Sequence, residues 1–150
     1  MSAAPRQILA PVLDRTGKVC LALLVFLGIG ALPSGLLMID RPDGSAFGFP
    51  KSWLENGPFH DYLIPGLILF GLFGVGSLLV ALAGWRRWRV APFLAFALGV
   101  GMMIWIVVQI AIIRGLSILH LIYFVVGVAI AATAVRWGWP TFQAWRGRGA

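Results

Sequence analysis

Long blocks of apolar residues alternate with polar links along most of the chain. Four blocks contain no aspartate, glutamate, lysine or arginine: residues 19–39, 63–83, 92–113 and 118–135. A helix needs ~20 apolar residues to cross a bilayer, and it satisfies its backbone hydrogen bonds within one segment. The blocks also lack the alternation of membrane β-barrel strands. The pattern therefore predicts an all-α, polytopic membrane protein, with a four-transmembrane-helix bundle as a single domain over residues 1–150.

One link is much longer than the others. It covers residues 40–62, with the sequence "DRPDGSAFGFPKSWLENGPFHDY". Loops of this length inside a compact protein are uncommon and are often functional. The stretches "RPDG" and "NGP" are turn signals, and Phe47, Phe49 and Trp53 give the link an apolar side. We expect an ordered outer loop that lies over one end of the bundle.

Basic residues lie mainly on one side of the predicted membrane. Four crossings put residues 1–18, 84–91 and 136–150 on the same side, and these segments hold nine of the twelve basic residues: Arg6, Arg15, Lys18, Arg86, Arg87, Arg89, Arg136, Arg146 and Arg148. The other side holds Arg41, Lys51 and Arg114. Cytoplasmic segments of membrane proteins carry the excess of lysine and arginine. The distribution therefore predicts that both termini are cytoplasmic.

Composition excludes an ordinary soluble protein, because 60% of the residues are hydrophobic and 11% are charged, against about 25% charged in soluble domains. The net charge of +7 follows from the basic segments, so it predicts no nucleic-acid partner. Tryptophans lie among these arginines, which suits anchoring in the headgroup layer of the bilayer as the expected partner: Trp85, Trp88, Trp137, Trp139 and Trp145. The first block is long, and Pro33 and Ser34 fit a cleavage site poorly, so we interpret it as a retained signal anchor.

Each block carries small residues at helical spacing, which allow helix backbones to approach closely in lipid. The four stripes are Gly28, Ala31 and Gly35; Gly71, Gly74, Ser77, Ala81 and Gly84; Ala91, Ala95 and Gly99; and Gly127, Ala131 and Ala134. They predict contact faces within a compact bundle. The same faces would also suit a homo-oligomer or a membrane-protein partner, and the pattern does not separate these uses.

Sequence motifs add a resemblance to a known family. The pattern D-x-P-D-G-S-A-x-G-x-P covers residues 40–50, and P-F-x-D-Y-L-I-P-G covers residues 58–66. An arginine cluster follows, and then W-x-x-x-Q at Trp105 and Gln109. Over roughly residues 19–135 the chain resembles a family of uncharacterised bacterial four-helix integral membrane proteins. The resemblance implies a location in the bacterial inner (plasma) membrane and no particular activity.

Several polar residues lie close to the predicted outer face of the membrane. Gln109 and Arg114 are five residues apart, about 7.5 Å along a helix, so both can reach the region beneath the outer loop. A small polar, ligand-binding pocket is the resulting hypothesis, with these members: Gln109, Arg114, His120, Tyr123, Asp61 and His60.

Four members of this set also have a purely structural explanation, whereas His60 has none. Gln109 can form an interhelical hydrogen bond, because an unpaired amide in an apolar helix is costly. Arg114 can extend to the interface, and His120 can hydrogen-bond at a helix start. Asp61 can cap the second helix. We therefore predict no catalytic residues.

The residue inventory predicts no metal and no cofactor. The apolar blocks contain no carboxylate of the kind that proton-coupled exporters use, and the single Cys20 cannot form an intramolecular disulfide. A zinc site would require three or four converging ligands.

Two functional hypotheses remain. The first is a non-enzymatic scaffold or accessory subunit that associates with membrane partners through its small-residue stripes. The alternative is a lipid- or hydrophobic-ligand-binding protein, with an enzyme as one form of it. Its polar pocket would lie at the outer face beneath residues 40–62.

Overall fold

The computed structural model describes residues 10–146, except for the side chain of Trp145, and this part of the chain is helical without strands. Arg6 and Arg148 of the predicted basic side lie outside the described residues. Four helices are long and apolar enough to cross a membrane: α1 (Arg15–Asp40), α2 (Leu63–Trp85), α3 (Ala91–Ile113) and α4 (Ile118–Arg146). The predicted all-α, multi-pass architecture is confirmed.

The four helices pack side by side with alternating directions. Gly35 of α1 lies against the backbone of Phe70 of α2, and Gly28 of α1 lies against Leu78 further along α2. A position nearer the start of α1 thus meets a position nearer the end of α2, so the two helices are antiparallel. Gly99 of α3 meets Gly127 of α4 in the same antiparallel sense. Since α4 also packs on α1, the bundle closes.

Most of the predicted small-residue stripes lie inside this bundle. An added Cβ atom at Gly99 would lie only 2.7 Å from the backbone nitrogen of Ala131 and 2.7 Å from the carbonyl oxygen of Gly127. Buried alanines accompany these glycines on all four helices: Ala31, Ala81, Ala95 and Ala134. Close backbone contact therefore holds the helices together, as membrane helices require.

Gly71 is the exception, since it is exposed and an added Cβ would meet nothing within 4 Å. It lies in a π-helical stretch of α2, Ile68–Val75. Hydrogen bonds from i to i+5 put more residues into each turn than an α-helix has, so residues three apart no longer share a face. This is why Gly74 is buried while Gly71 faces outward. The periodicity of a regular α-helix could not reveal this outward position of Gly71.

The end of the bundle with the chain termini differs from the prediction in two ways. α4 continues through Pro140 to Arg146, eleven residues past the predicted end of the fourth span. Trp137 is 3% exposed, and its indole N–H donates to the carbonyl oxygen of Val12 at 3.0 Å. The prediction that Trp137 anchors in the headgroup layer was therefore wrong. Its ring ties the segment before α1 to α4.

Other tryptophans at this end agree with an interfacial role, because Trp85, Trp88 and Trp139 are exposed. α1 begins at Arg15 rather than at residue 19. The carboxylate of Asp14 explains this start, since it accepts the backbone N–H of Gly17 at 2.8 Å and caps the helix.

We expect Gly99→Ala to lower the free energy of unfolding by about 1–3 kcal/mol, because the new methyl group collides with the backbone of α4. Gly71→Ala is the matched control, since the same methyl group meets open space there. Reversible unfolding in mixed micelles measures both variants. Equal loss of stability in the two would show that the contact between Gly99 and α4 does not hold the bundle together.

Candidate functional site

The outer loop is ordered by Tyr62, its last residue. The Tyr62 side chain is 3% exposed, and its hydroxyl donates to the carbonyl oxygen of Pro50 at 3.0 Å. Its backbone N–H donates to the carbonyl oxygen of Pro42 at 2.9 Å. Gly44 packs on the ring with a φ of +84°, so a side chain there would clash as well as strain the turn. These contacts join the two ends of the loop to its middle.

A tight turn and an aromatic group complete the loop. The backbone N–H and the hydroxyl of Ser45 both donate to the carboxylate of Asp43, which holds the pKa of that exposed carboxyl below its ordinary value. Phe49 lies between two other rings, with its centroid 5.1 Å from that of Phe47 and 5.3 Å from that of Trp53. The aromatic side predicted from the sequence therefore exists, and it faces the bundle.

A cavity of about 420 Å³ lies beneath this aromatic group, between α1, α3 and α4. Most of its wall is aliphatic or aromatic. The lining side chains that can form hydrogen bonds are Ser34, Trp53, Trp105, Gln109, Ser117, His120 and Tyr123. Residues at the rim are exposed and apolar, with Leu116 79% and Leu119 59% exposed. No lysine, arginine, aspartate or glutamate is among the lining residues.

Half of the predicted pocket residues line this cavity. Gln109 reaches it from α3, and His120 and Tyr123 reach it from α4. Because α3 and α4 are joined by only four residues, the end of one helix and the start of the other lie side by side. These three predicted residues therefore line one and the same cavity.

The other three predicted residues do not line the cavity. Arg114 ends α3 in a left-handed conformation, with a φ of 52°, and its side chain is exposed. The carboxylate of Asp61 accepts the backbone N–H of Leu63, the first residue of α2, at 3.0 Å, while the N-cap position itself is Tyr62, whose side chain forms no capping hydrogen bond. His60 is exposed. Helical spacing placed Arg114 near Gln109 along the chain but could not show the turn that directs it outward.

His120 has a fixed orientation at the start of α4. Its Nδ1 atom accepts the backbone N–H of Ser117 at 3.0 Å, while the Ser117 hydroxyl accepts the N–H of Leu119 at 3.3 Å. This is the reciprocal pattern of a capping box, with histidine where glutamate usually stands. An Nδ1 that accepts a hydrogen bond carries no proton, so the ring proton of the neutral imidazole lies on Nε2. His120 is thus a hydrogen-bond donor at Nε2.

Tyr123 lies where α4 crosses α1. Its hydroxyl is over Gly30, and any side chain at that position would displace the hydroxyl. The hydroxyl forms no hydrogen bond with any described residue, and the same holds for the Gln109 amide. Both groups therefore keep their full hydrogen-bonding capacity beside the cavity.

Trp105 is a member of the wall that sequence reasoning did not select. It is 9% exposed, and its buried indole N–H has no acceptor in the described chain. A buried donor without a partner costs about 1–3 kcal/mol, so it is an unusual feature. The W-x-x-x-Q spacing was the available signal, because residues four apart share one face of a helix.

The cavity combines a few neutral polar side chains with a largely apolar wall. Within residues 10–146, no group of three histidine, cysteine, aspartate or glutamate side chains could hold a metal ion. His120 lacks a carboxylate partner among the lining residues. The polar groups are neutral and separated by apolar wall, which is typical of a site that orients a mostly hydrophobic ligand.

Comparison with protein-family models found no match to the chain, and comparisons with curated proteins and with solved structures found none either. The geometry of the cavity is therefore the basis for a functional proposal.

We expect Tyr62→Phe to loosen the outer loop, because the variant loses the hydrogen bond to Pro50 while keeping the ring. An endoproteinase specific for lysine measures this loosening, since Lys51 lies in the loop and the only other lysine is Lys18. Cleavage after Lys51 should become about two- to tenfold faster, as expected for one net hydrogen bond. His60→Ala is the control, and equal acceleration in both variants would contradict the anchoring role.

Burial raises the pKa of the Tyr62 phenol above its ordinary value of 10.0. Stabilisation of the loop by this hydroxyl is therefore complete below about pH 10 and is lost as the pH rises through the raised pKa. The rate of cleavage after Lys51 in the wild-type protein, divided by the rate in Tyr62→Phe at the same pH, should rise toward one over that range; the division cancels the titration of Lys51 itself, which both proteins share.

Proposed function

We propose that this multi-pass membrane protein binds a membrane lipid or a similar hydrophobic ligand in the cavity beneath its outer loop. The observation that supports this most directly is the cavity itself. Its volume of about 420 Å³ lies within the ~300–1,000 Å³ of small-molecule sites. Its wall is largely apolar, and a few neutral polar side chains converge on it.

The rim gives the second line of support. Leu116 and Leu119 are exposed beside the opening, and Phe47 and Trp53 of the outer loop are partly exposed above it. An apolar rim at the end of a membrane bundle suits entry from the hydrocarbon or interfacial region. The same apolar rim is poorly suited to a polar ligand that enters from water.

The scaffold hypothesis has less support from the geometry. Its motivation was the small-residue stripes, and these are engaged inside the bundle, as the contact of Gly99 with Gly127 illustrates. Exposed faces of the helices carry large aliphatic side chains, as expected for contact with lipid. Association with a partner or a second copy stays a prediction without a specific surface.

For location, we propose the bacterial inner membrane with both termini in the cytoplasm. Support comes from the resemblance of the loop motifs to a bacterial four-helix family and from the basic residues at the terminal end of the bundle. The lysine-specific endoproteinase tests the orientation in spheroplasts. Cleavage after Lys51 from outside is expected, whereas cleavage after Lys18 would show the opposite orientation.

Filling the cavity tests the binding proposal. Ile113→Trp puts an indole at a lining position of α3, so co-purified lipid should be lost or reduced at least about tenfold. Ile104→Trp is the matched control on the same helix, because Ile104 is 58% exposed and does not line the cavity. Native mass spectrometry of protein released from its own membrane reports the bound mass.

Retention of ligand in the control together with loss in Ile113→Trp would support the proposal. Wild-type protein without any bound lipid would contradict it, as would identical lipid content in both variants with folding intact by circular dichroism.

A further inference from the structure

From the chemistry of the cavity wall, we infer that the ligand is a neutral lipid whose head carries carbonyl oxygens, such as an isoprenoid quinone or a diacylglycerol. This inference rests on the proposed binding function and specifies its ligand class. Two observations carry it: none of the described lining residues is charged, and the polar side chains of Gln109, His120 and Tyr123 on this wall can each donate a hydrogen bond.

The absence of charge among the lining residues disfavours an ionic head in the cavity. A phosphate group that loses water needs a cation or several strong donors to compensate for its desolvation. Arg114 is the nearest candidate along the chain, but its left-handed backbone directs it outward and its side chain is exposed. An anionic head would therefore stay outside the cavity.

The donor groups come from two helices that face the same space. On α4, the hydrogen bond from Ser117 to Nδ1 leaves His120 with a proton on Nε2, so this nitrogen can only donate. On α3, Gln109 lines the same cavity, and its side-chain amide has two N–H groups to donate. A matching head group must accept hydrogen bonds, and a carbonyl oxygen does so without carrying a charge.

Tyr123 completes the set. Gln109 and Tyr123 can each donate, and neither forms a hydrogen bond with a described residue. The aromatic residues above the cavity, Phe49 and Trp53, form a tilted pair that can cover a flat or branched head. The aliphatic remainder of the wall suits the tail.

Tyr123→Phe is the sharpest variant for this inference. The hydroxyl forms no hydrogen bond with a described residue, and in the variant the ring keeps both its place over Gly30 and its stacking on Phe26 at 6.3 Å. Loss of one neutral hydrogen bond should weaken ligand binding about two- to tenfold while leaving thermal stability of the ligand-free protein unchanged. Gln109→Leu should weaken binding similarly. Arg114→Gln serves as the control and should change nothing.

The full chain, stripped of lipid in a neutral detergent, is titrated separately with four probes and read by native mass spectrometry. The probes are a short-chain isoprenoid quinone, a diacylglycerol, a phosphatidylglycerol with the same acyl chains and a plain alkane. The inference is supported if the quinone or the diacylglycerol binds more tightly than phosphatidylglycerol and the alkane do, and if Tyr123→Phe weakens that binding.

The other outcomes distinguish failure of this inference about the head group from failure of the proposed binding function. If phosphatidylglycerol binds as tightly as the carbonyl lipids and Arg114→Gln weakens its binding, the cavity binds lipid, but the inference of a neutral head group is wrong. If the alkane binds as well as the carbonyl lipids, the donors do not select the ligand and the inference is overturned. If no probe binds and the native protein carries no lipid, the binding function itself fails.

Discussion

Helices in a bilayer gain nothing from hiding apolar side chains from apolar lipid, so they must associate through close backbone contact. In this protein that contact is made by glycine and alanine, and the meeting of Gly99 with Gly127 and Ala131 is its tightest point between α3 and α4. A similar approach joins α1 to α2 at Gly35 and Phe70. Close contact between the helices is possible only where these small residues are present. The same constraint determines where the bundle leaves room for a cavity.

The cavity begins where the small residues of α3 and α4 end. Outward from Gly99 and Gly127, the facing positions carry Met102, Trp105 and Tyr123, whose bulk does not allow the same backbone approach. The short link between the two helices keeps their ends adjacent, and the outer loop covers the space with its aromatic group. Close packing in one part of the bundle and a cavity in the next are thus two consequences of one change in side-chain size. The neutral hydrogen-bond donors of the cavity wall lie in this wider part of the bundle.

Much of the architecture could be predicted from the sequence, because apolar block length and charge placement reflect the bilayer directly. The pocket was predictable where helical spacing applies, as for Gln109 and Tyr123. Prediction failed where geometry departs from a regular helix. The π-helical stretch turned Gly71 outward, the left-handed end of α3 directed Arg114 away, and a single long-range hydrogen bond to Val12 buried Trp137. None of these departures has a local pattern that would indicate it.

The central claim is that lipid occupies the cavity at the outer end of the bundle. Nuclear Overhauser measurements on the labelled protein in lipid nanodiscs test it, because they report which protons lie within a few ångströms of the Gln109 side-chain amide and the Tyr123 ring. We predict cross-peaks from both groups to protons of the lipid, and their loss in Ile113→Trp. Cross-peaks from both groups to water alone would show a hydrated, unoccupied space and would contradict the claim.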